Sequence, residues 1–285
     1  MSAALRQSLT LPCRTAHCPC AWSRPWSPFA SRRKCTLDIA PFQTLLAIAA
    51  IFALAGLVKG VIGMGLPTVA IGLLGLMMPP AQAAAVLIVP SLISNIWQAV
   101  VGGAFRELVA RLWPLFAGIV IGTAIGAIWL VHSGGSGATL WLGLALVAYA
   151  LLGLFKIEFK VPAAREGIIG FACGIATGAI TVATGVFAIP MVPYIQGLSL
   201  DRHRLVQALG LCFTVCTIAL AAALGHAGEL NADLMWPSLA GLVAVLVGMR
   251  LGQLLRGRIR PEVFRLCFFA GLLMLGGHLA LRSVL

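Results

Sequence analysis

The sequence predicts an all-α polytopic membrane protein made of two similar halves. It should hold roughly 8–10 transmembrane helices, some short and broken by glycine and proline. Three observations carry that prediction. The 285 residues are 60% hydrophobic and 10% charged, with a mean hydropathy of +1.02, whereas a soluble domain carries roughly 25% charged residues. Apolar segments recur at close to the length a helix needs to cross a bilayer. The order of long and short segments, with the motifs inside them, occurs twice.

Residues 1–36 stand apart from that pattern. They are rich in Arg, Ser, Pro, Cys and Trp, contain no acidic residue, and lack the apolar core of a secretory signal. The composition suits a transit peptide or sequence upstream of the true start, and the topology below favours a start near Leu37. In "CRTAHCPC", Cys13, His17, Cys18 and Cys20 fall close together, but their spacing fits no ordinary zinc module. The later cysteines (Cys173, Cys212, Cys216, Cys267) lie in apolar runs and read as small hydrophobes. No metal and no cofactor is expected.

From there the apolar segments fall at about 42–62, 64–78, 82–102, 112–131 and 138–155, and again at 167–182, 185–197, 204–224, 234–255 and 263–283. The second and seventh are short and rich in Gly or Pro. This divides the chain into a first transmembrane repeat over 37–160 and a second over 161–285. "GLVKG" at Gly56–Gly60 matches "GIATG" at Gly174–Gly178. "WPLFAG" at Trp113–Gly118 matches "WPSLAG" at Trp236–Gly241, and "GTAIG" at Gly122–Gly126 matches "GMRLG" at Gly248–Gly252. Paired, interrupted segments in corresponding places of two halves point to a transporter site. The GxxxG sets within these motifs suit close helix packing.

The net charge of +12 does not indicate nucleic-acid binding, because the basic residues sit in short segments between apolar runs and no soluble basic domain exists. They set orientation instead. Arg106, Arg111, Lys156, Lys160, Arg165, Arg202, Arg204 and the arginines from Arg250 to Arg265 mark one side. The loops near Ser133–Gly137 and Gly225–Asp233 hold no Lys or Arg. The positive-inside rule places the first group in the cytoplasm. The second half then begins inside and the first begins outside, which makes an inverted repeat. "SRRK" at Ser31–Lys34 would break the rule there, and a start near Leu37 removes the conflict. The expected location is the cell inner (cytoplasmic) membrane, multi-pass, with membrane lipid around it. Self-association into a homo-oligomer is compatible with the sequence.

"GLVKGVIGMGLP" at Gly56–Pro67 carries a lysine inside an apolar run, where a charge costs roughly 2.5–3.5 kcal/mol even on lenient scales. Lys59 could snorkel from a helix end. It could instead meet an anion at a break between half-helices. The matching residue, Thr177, is neutral, so the fold does not require the charge. Flanking glycines let the backbone approach a ligand. No acidic residue lies in any apolar segment, so the expected partner is a solute, water or lipid. "GMGLPT" at Gly63–Thr68 reads as a helix start, with Gly63 and Gly65 freeing N–H groups for an anion and Pro67 tolerated in the first turn. "TVATGVFAIP" is its counterpart, with Thr181, Thr184 and Gly185. Together the breaks would cradle one oxyanion near the midplane. Ser91, Asn95 and Gln98 share one helix face and suit either a substrate or interhelical hydrogen bonds. Asp201 to Arg204 read as a cytoplasmic charge cluster or a gate. No HExxH, GxSxG, P-loop or CxxC pair is present, so an enzyme is not expected.

The stretch "GLVKGVIGMGLPTVAIGLLGLMMPPAQAAAVLIVPSLISNIWQ" resembles the first half-motif of the sulfite exporter TauE/SafE family, and "GIATGAITVATGVFAIPMVPYIQGL" is similar to the second. The resemblance covers about Leu37 to Leu285. It implies an integral membrane transporter of sulfite, sulfonates or related organic anions. The second motif carries fewer glycines than is usual in the family. The resulting expectation is a secondary transporter of a small anion that rocks one half against the other. The alternative is a non-transporting membrane subunit that assists an assembly or a partner enzyme.

Overall fold

The computed structural model describes residues 41–132, 137–155, 160–230, 234–258 and 260–284. The expectations for residues 1–36 lie outside them. Among the described residues the chain is helical, with no strand. Its helices are α1 (Pro41–Ile62), α2 (Leu66–Leu74), α3 (Pro80–Val100), α4 (Phe105–His132), α5 (Ala138–Leu154), α6 (Glu166–Thr184), α7 (Met191–Gln196), α8 (Arg202–His226), α9 (Met235–Leu255) and α10 (Pro261–Val284). A 3₁₀ turn, Ala163–Arg165, leads into α6.

Seven of these helices are long and apolar enough to cross a membrane: α1, α3, α4, α6, α8, α9 and α10. The apolar α5 has 17 residues, about 25 Å at 1.5 Å per residue, which approaches the hydrocarbon thickness of about 30 Å. α2 has nine residues and α7 has six. At about 14 and 9 Å they are too short to cross. The two short segments of the sequence are therefore half-helices, and the larger span count is not reached.

Side-chain bonds fix which helix ends share a face. Lys59 near the end of α1 meets Ser94 and Asn95 near the end of α3. Gln98 of α3 donates to the Val206 carbonyl at the start of α8. Arg204 of α8 pairs with Glu107 at the start of α4 (2.7 Å), and Arg111 of α4 pairs with Glu166 at the start of α6 (2.7 Å). α1 thus ends where α6 begins, so these two helices run in opposite directions. The shared face carries Arg106, Arg111, Arg202, Arg204 and Arg256, and is called the basic face below.

Glycines set the two closest pairings. α1 lies along α9: a Cβ on Gly56 or Gly60 would come within 2.4 Å of the Val245 or Met249 carbonyl oxygen. α4 lies along α6 in the same way, Gly174 and Gly178 facing the Leu115 and Ile119 carbonyls at 2.3 Å. From the other side, Gly248 and Gly252 face Ala53 and Leu57, while Gly118 and Gly122 face Phe171 and Ile175. This correspondence pairs Gly118 with Gly248 and Gly122 with Gly252. The "WPLFAG"/"WPSLAG" match instead pairs Gly118 with Gly241, seven residues or about two turns away. The "GTAIG"/"GMRLG" match is off by one turn. A short Trp-Pro match that falls inside α4 but at the start of α9 is weaker information than backbone contact along a whole helix.

Local chemistry explains the irregular places. Gly63 and Gly65 have φ of +91° and +99°, a region that suits only residues without a Cβ, and they turn the chain from α1 into α2. Pro67 falls at the N-terminus of α2, as expected. Pro90 inside α3 has no N–H for the Val86 carbonyl, and Ser238 of α9 donates to that oxygen instead at 2.9 Å. Gln207 is buried under the α3–α4 turn. It donates to the Ala99 carbonyl (2.7 Å) and accepts from the Ala104 N–H (3.1 Å). Gln207→Leu removes both partners and should lower stability by about 2 kcal/mol, seen as a lower melting temperature in detergent.

Candidate functional site

The last turn of α1 brings Lys59 beside the polar face of α3. The side chain is 3% exposed, so it does not snorkel to the interface. Its Nζ donates to Ser94 Oγ at 3.0 Å and, by a short contact, to Asn95 Oδ1. α3 orients both acceptors. Ser94 Oγ donates to the Ser91 carbonyl (3.1 Å), and Asn95 Nδ2 donates to Ser91 Oγ (3.2 Å). The Asn95 amide is therefore held with its oxygen toward the ammonium. Protein oxygens take two of the three ammonium protons, which revises the expectation that a solute, water or lipid would be the partner. The charge itself remains uncompensated, since no carboxylate approaches Lys59 among the described residues.

Gln98, one turn further along α3, ties the break to α8. Its Nε2 donates to the Gly63 carbonyl (3.0 Å) and to the Val206 carbonyl (2.8 Å). Lys59, Gly63, Asn95 and Gln98 thus form one cluster near the basic face rather than at the midplane. Lys59, Gly63 and Gln98 line a cavity of about 240 Å³ together with Arg202, His203, Gln207, Gln253 and Arg256. No Asp or Glu lines it. Burial lowers the pKa of the Arg256 guanidinium from its ordinary value, and the neighbouring charge of Arg202 lowers it further. With Lys59, three basic side chains line the cavity and no carboxylate does among the described residues, which leaves it electropositive.

Gly65 lies beyond this cluster, against Phe268 and Val58. Thr181, Thr184 and Gly185 form a separate group at the end of α6. The Thr181 hydroxyl donates to the Thr177 carbonyl (2.7 Å), and the Thr184 hydroxyl donates to the Ile180 carbonyl (2.7 Å) while accepting from the Val186 N–H (3.1 Å). Gly185, φ +73°, closes the helix and approaches Ile71 and Ala84. None of the three lines the Lys59 cavity. Thr177 stands where Lys59 does in the glycine register, is fully buried, and its hydroxyl has no partner among the described residues.

Ser94 and Gln207 were not singled out from sequence. Ser94 is offset from the Ser91–Asn95–Gln98 spacing, although it neighbours Asn95. Gln207 lies in a helix otherwise read as apolar. The charge cluster at Asp201–Arg204 divides its roles. Asp201 caps α8 through the Arg204 N–H at 3.3 Å, while Arg202 and His203 face the cavity.

A multi-spanning helical protein with a buried lysine beneath an electropositive, carboxylate-free cavity is built as a membrane protein that handles anions. The model of the sulfite exporter TauE/SafE family matches residues 48–279, most of the chain, and the chain belongs to that family of membrane exporters. No curated protein and no solved structure matches it.

Proposed function

We propose that the chain exports a small sulfur-containing anion, sulfite or a sulfonate, from the cytoplasm across the cell inner membrane, with Lys59 as the contact for its charge. The observation that carries this reading is the Lys59 ammonium. It is buried, lacks a carboxylate, has one proton free of protein acceptors among the described residues, and borders the Arg202–His203–Arg256 cavity. The positive-inside rule turns the basic face toward the cytoplasm, where an exported anion loads. The opposed directions of α1 and α6, each pressed on a like-placed glycine helix, support two inverted halves that rock against each other. Outward movement of one negative charge gains roughly 2.3 kcal/mol per 100 mV of inside-negative potential, which favours export as the default direction.

The test is accumulation of radiolabelled sulfite and small sulfonates by inside-out vesicles that contain the protein. Uptake above that of empty vesicles is expected. Its absence for every tested anion would remove the transport reading and leave the non-transporting subunit. Within the active protein, Arg256→Gln should raise the apparent KM for the anion about two- to fivefold with little change in maximal rate. The difference should shrink as salt screens the cavity mouth.

A further inference from the structure

The turn between α9 and α10 carries dense positive charge. Residues 250–265 hold five arginines, no lysine and one acid, Glu262. Arg256 lines the Lys59 cavity, and Arg265 lines another cavity beside α7. The other three, Arg250, Arg258 and Arg260, are exposed. Among the described residues none of these three holds an ion pair.

Arg250 is the informative member. It lies within the membrane-spanning stretch of α9, about 8 Å before the helix ends at Leu255. A charge at that depth is costly, and an arginine there extends along its stem toward the headgroup level. Arg250 and Leu254 are four residues apart and share one face of α9, where Leu254 is 75% exposed. On α10, Leu266 is 59% exposed. Guanidinium groups and bare apolar side chains therefore stand together at one end of two spanning helices. α9 packs on α1 and α3, whereas α10 packs on α5, so the helices joined by this turn lean on different neighbours and neither set covers these leucines. A turn solvated by water accounts for Arg258 and Arg260. It does not account for a partnerless arginine set among exposed leucines inside a span. The choice of arginine throughout suits phosphate, whose oxygens its planar fork can take two at a time.

We infer that the α9–α10 turn binds an anionic phospholipid, its headgroup phosphate held by Arg250, Arg258 and Arg260 and its acyl chains against Leu254 and Leu266. The inference concerns binding and stands apart from flux, so its test needs no transport. Purified full-length protein in detergent is titrated with phosphatidylglycerol and with phosphatidylcholine of the same acyl chains, and native mass spectrometry counts the bound lipid. Phosphatidylglycerol should bind at least about tenfold more tightly. One cation near a membrane surface is worth up to about fivefold in affinity. Arg258→Gln should therefore weaken phosphatidylglycerol binding about two- to fivefold. The triple variant Arg250→Gln, Arg258→Gln, Arg260→Gln should bring it down to the phosphatidylcholine level. Arg106→Gln, on the same basic face but outside this turn, should leave it unchanged. Melting temperatures confirm that each variant is folded. Equal affinity for the two lipids, or undiminished phosphatidylglycerol binding in the triple variant, overturns the proposal. So does an equal loss in Arg106→Gln and Arg258→Gln, which would mean a diffuse field in place of a site. Inorganic phosphate shares the headgroup's chemistry and should not displace the lipid, because it has no chains to set against the leucines. Displacement by phosphate at millimolar concentration would give the arginines to a free anion and overturn the lipid assignment.

Discussion

Lys59→Met should reduce sulfite flux about tenfold to a hundredfold while leaving the protein at least as stable as the wild type. The two halves of that expectation have separate causes. A hydrogen bond to a charged group contributes about 1.5–3 kcal/mol, and each 1.4 kcal/mol is a factor of ten. Removing the ammonium removes that contact from the bound anion. Methionine keeps the length and apolar stem of lysine, so little packing changes. A buried charge at membrane depth is costly by itself, and its removal relieves that cost. Ser94 and Asn95 lose a donor, but Asn95 keeps its bond to Ser91 and Ser94 keeps its bond to the Ser91 carbonyl. Flux and melting temperature should therefore move in opposite directions, or flux alone should fall. A structural lysine predicts the reverse: a lower melting temperature, with flux falling only as folded protein is lost. Lys59→Arg keeps the charge but replaces a compact ammonium with a wide planar fork in a site already occupied on two sides, so it should recover only part of the flux.

Much of this site could be read from the chain, and the limits are physical. Lys59 announced itself because charge is rare in an apolar run. Gly63, Gly65 and Pro67 announced the break because their backbone preferences are local. The Ser91–Asn95–Gln98 face followed from helical spacing. What spacing could not supply was the partner across space. Lys59 and Asn95 are 36 residues apart, and Gln98 and Val206 are 108 apart. Thr181 and Thr184 show the converse limit. Their hydroxyls looked available in sequence, but each lies four residues after a helical carbonyl and bonds to it, a familiar habit of threonine in helices. The glycines of the two halves were likewise visible, yet the contacts they make between α1 and α9 and between α4 and α6 run along the backbone, which a six-residue match does not encode.

Gly122→Val should have the largest effect on folding. A Cβ at Gly122 would lie 2.1 Å from the Ile175 carbonyl oxygen and 2.6 Å from its Cα. These are backbone atoms of α6 and cannot rotate aside, so α4 and α6 must separate. Ordinary overpacking costs about 1–3 kcal/mol, and here the displaced element is a whole helix. Within a bilayer no hydrophobic term compensates, since helix association there depends on close packing and interhelical bonds. A separated pair also loses the neighbouring contacts of Gly118, Gly174 and Gly178. The expected result is little or no monodisperse protein by size-exclusion chromatography in mild detergent. Gly271→Ala is the control. It lies in α10 with nothing within 4 Å of the added Cβ, and alanine improves on glycine in a helix by up to about 1 kcal/mol. Its yield and melting temperature should match or exceed those of the wild type. If both variants behaved alike, the glycine contacts would not be what joins α4 to α6. The same argument bears on motion. α1–α9 and α4–α6 are each joined by backbone-to-backbone contact and should move as units, so a transport cycle has to flex where side chains alone make the connection. The Gln98 bond to the Gly63 carbonyl, between α3 and the end of α1, is such a place, and it stands beside Lys59.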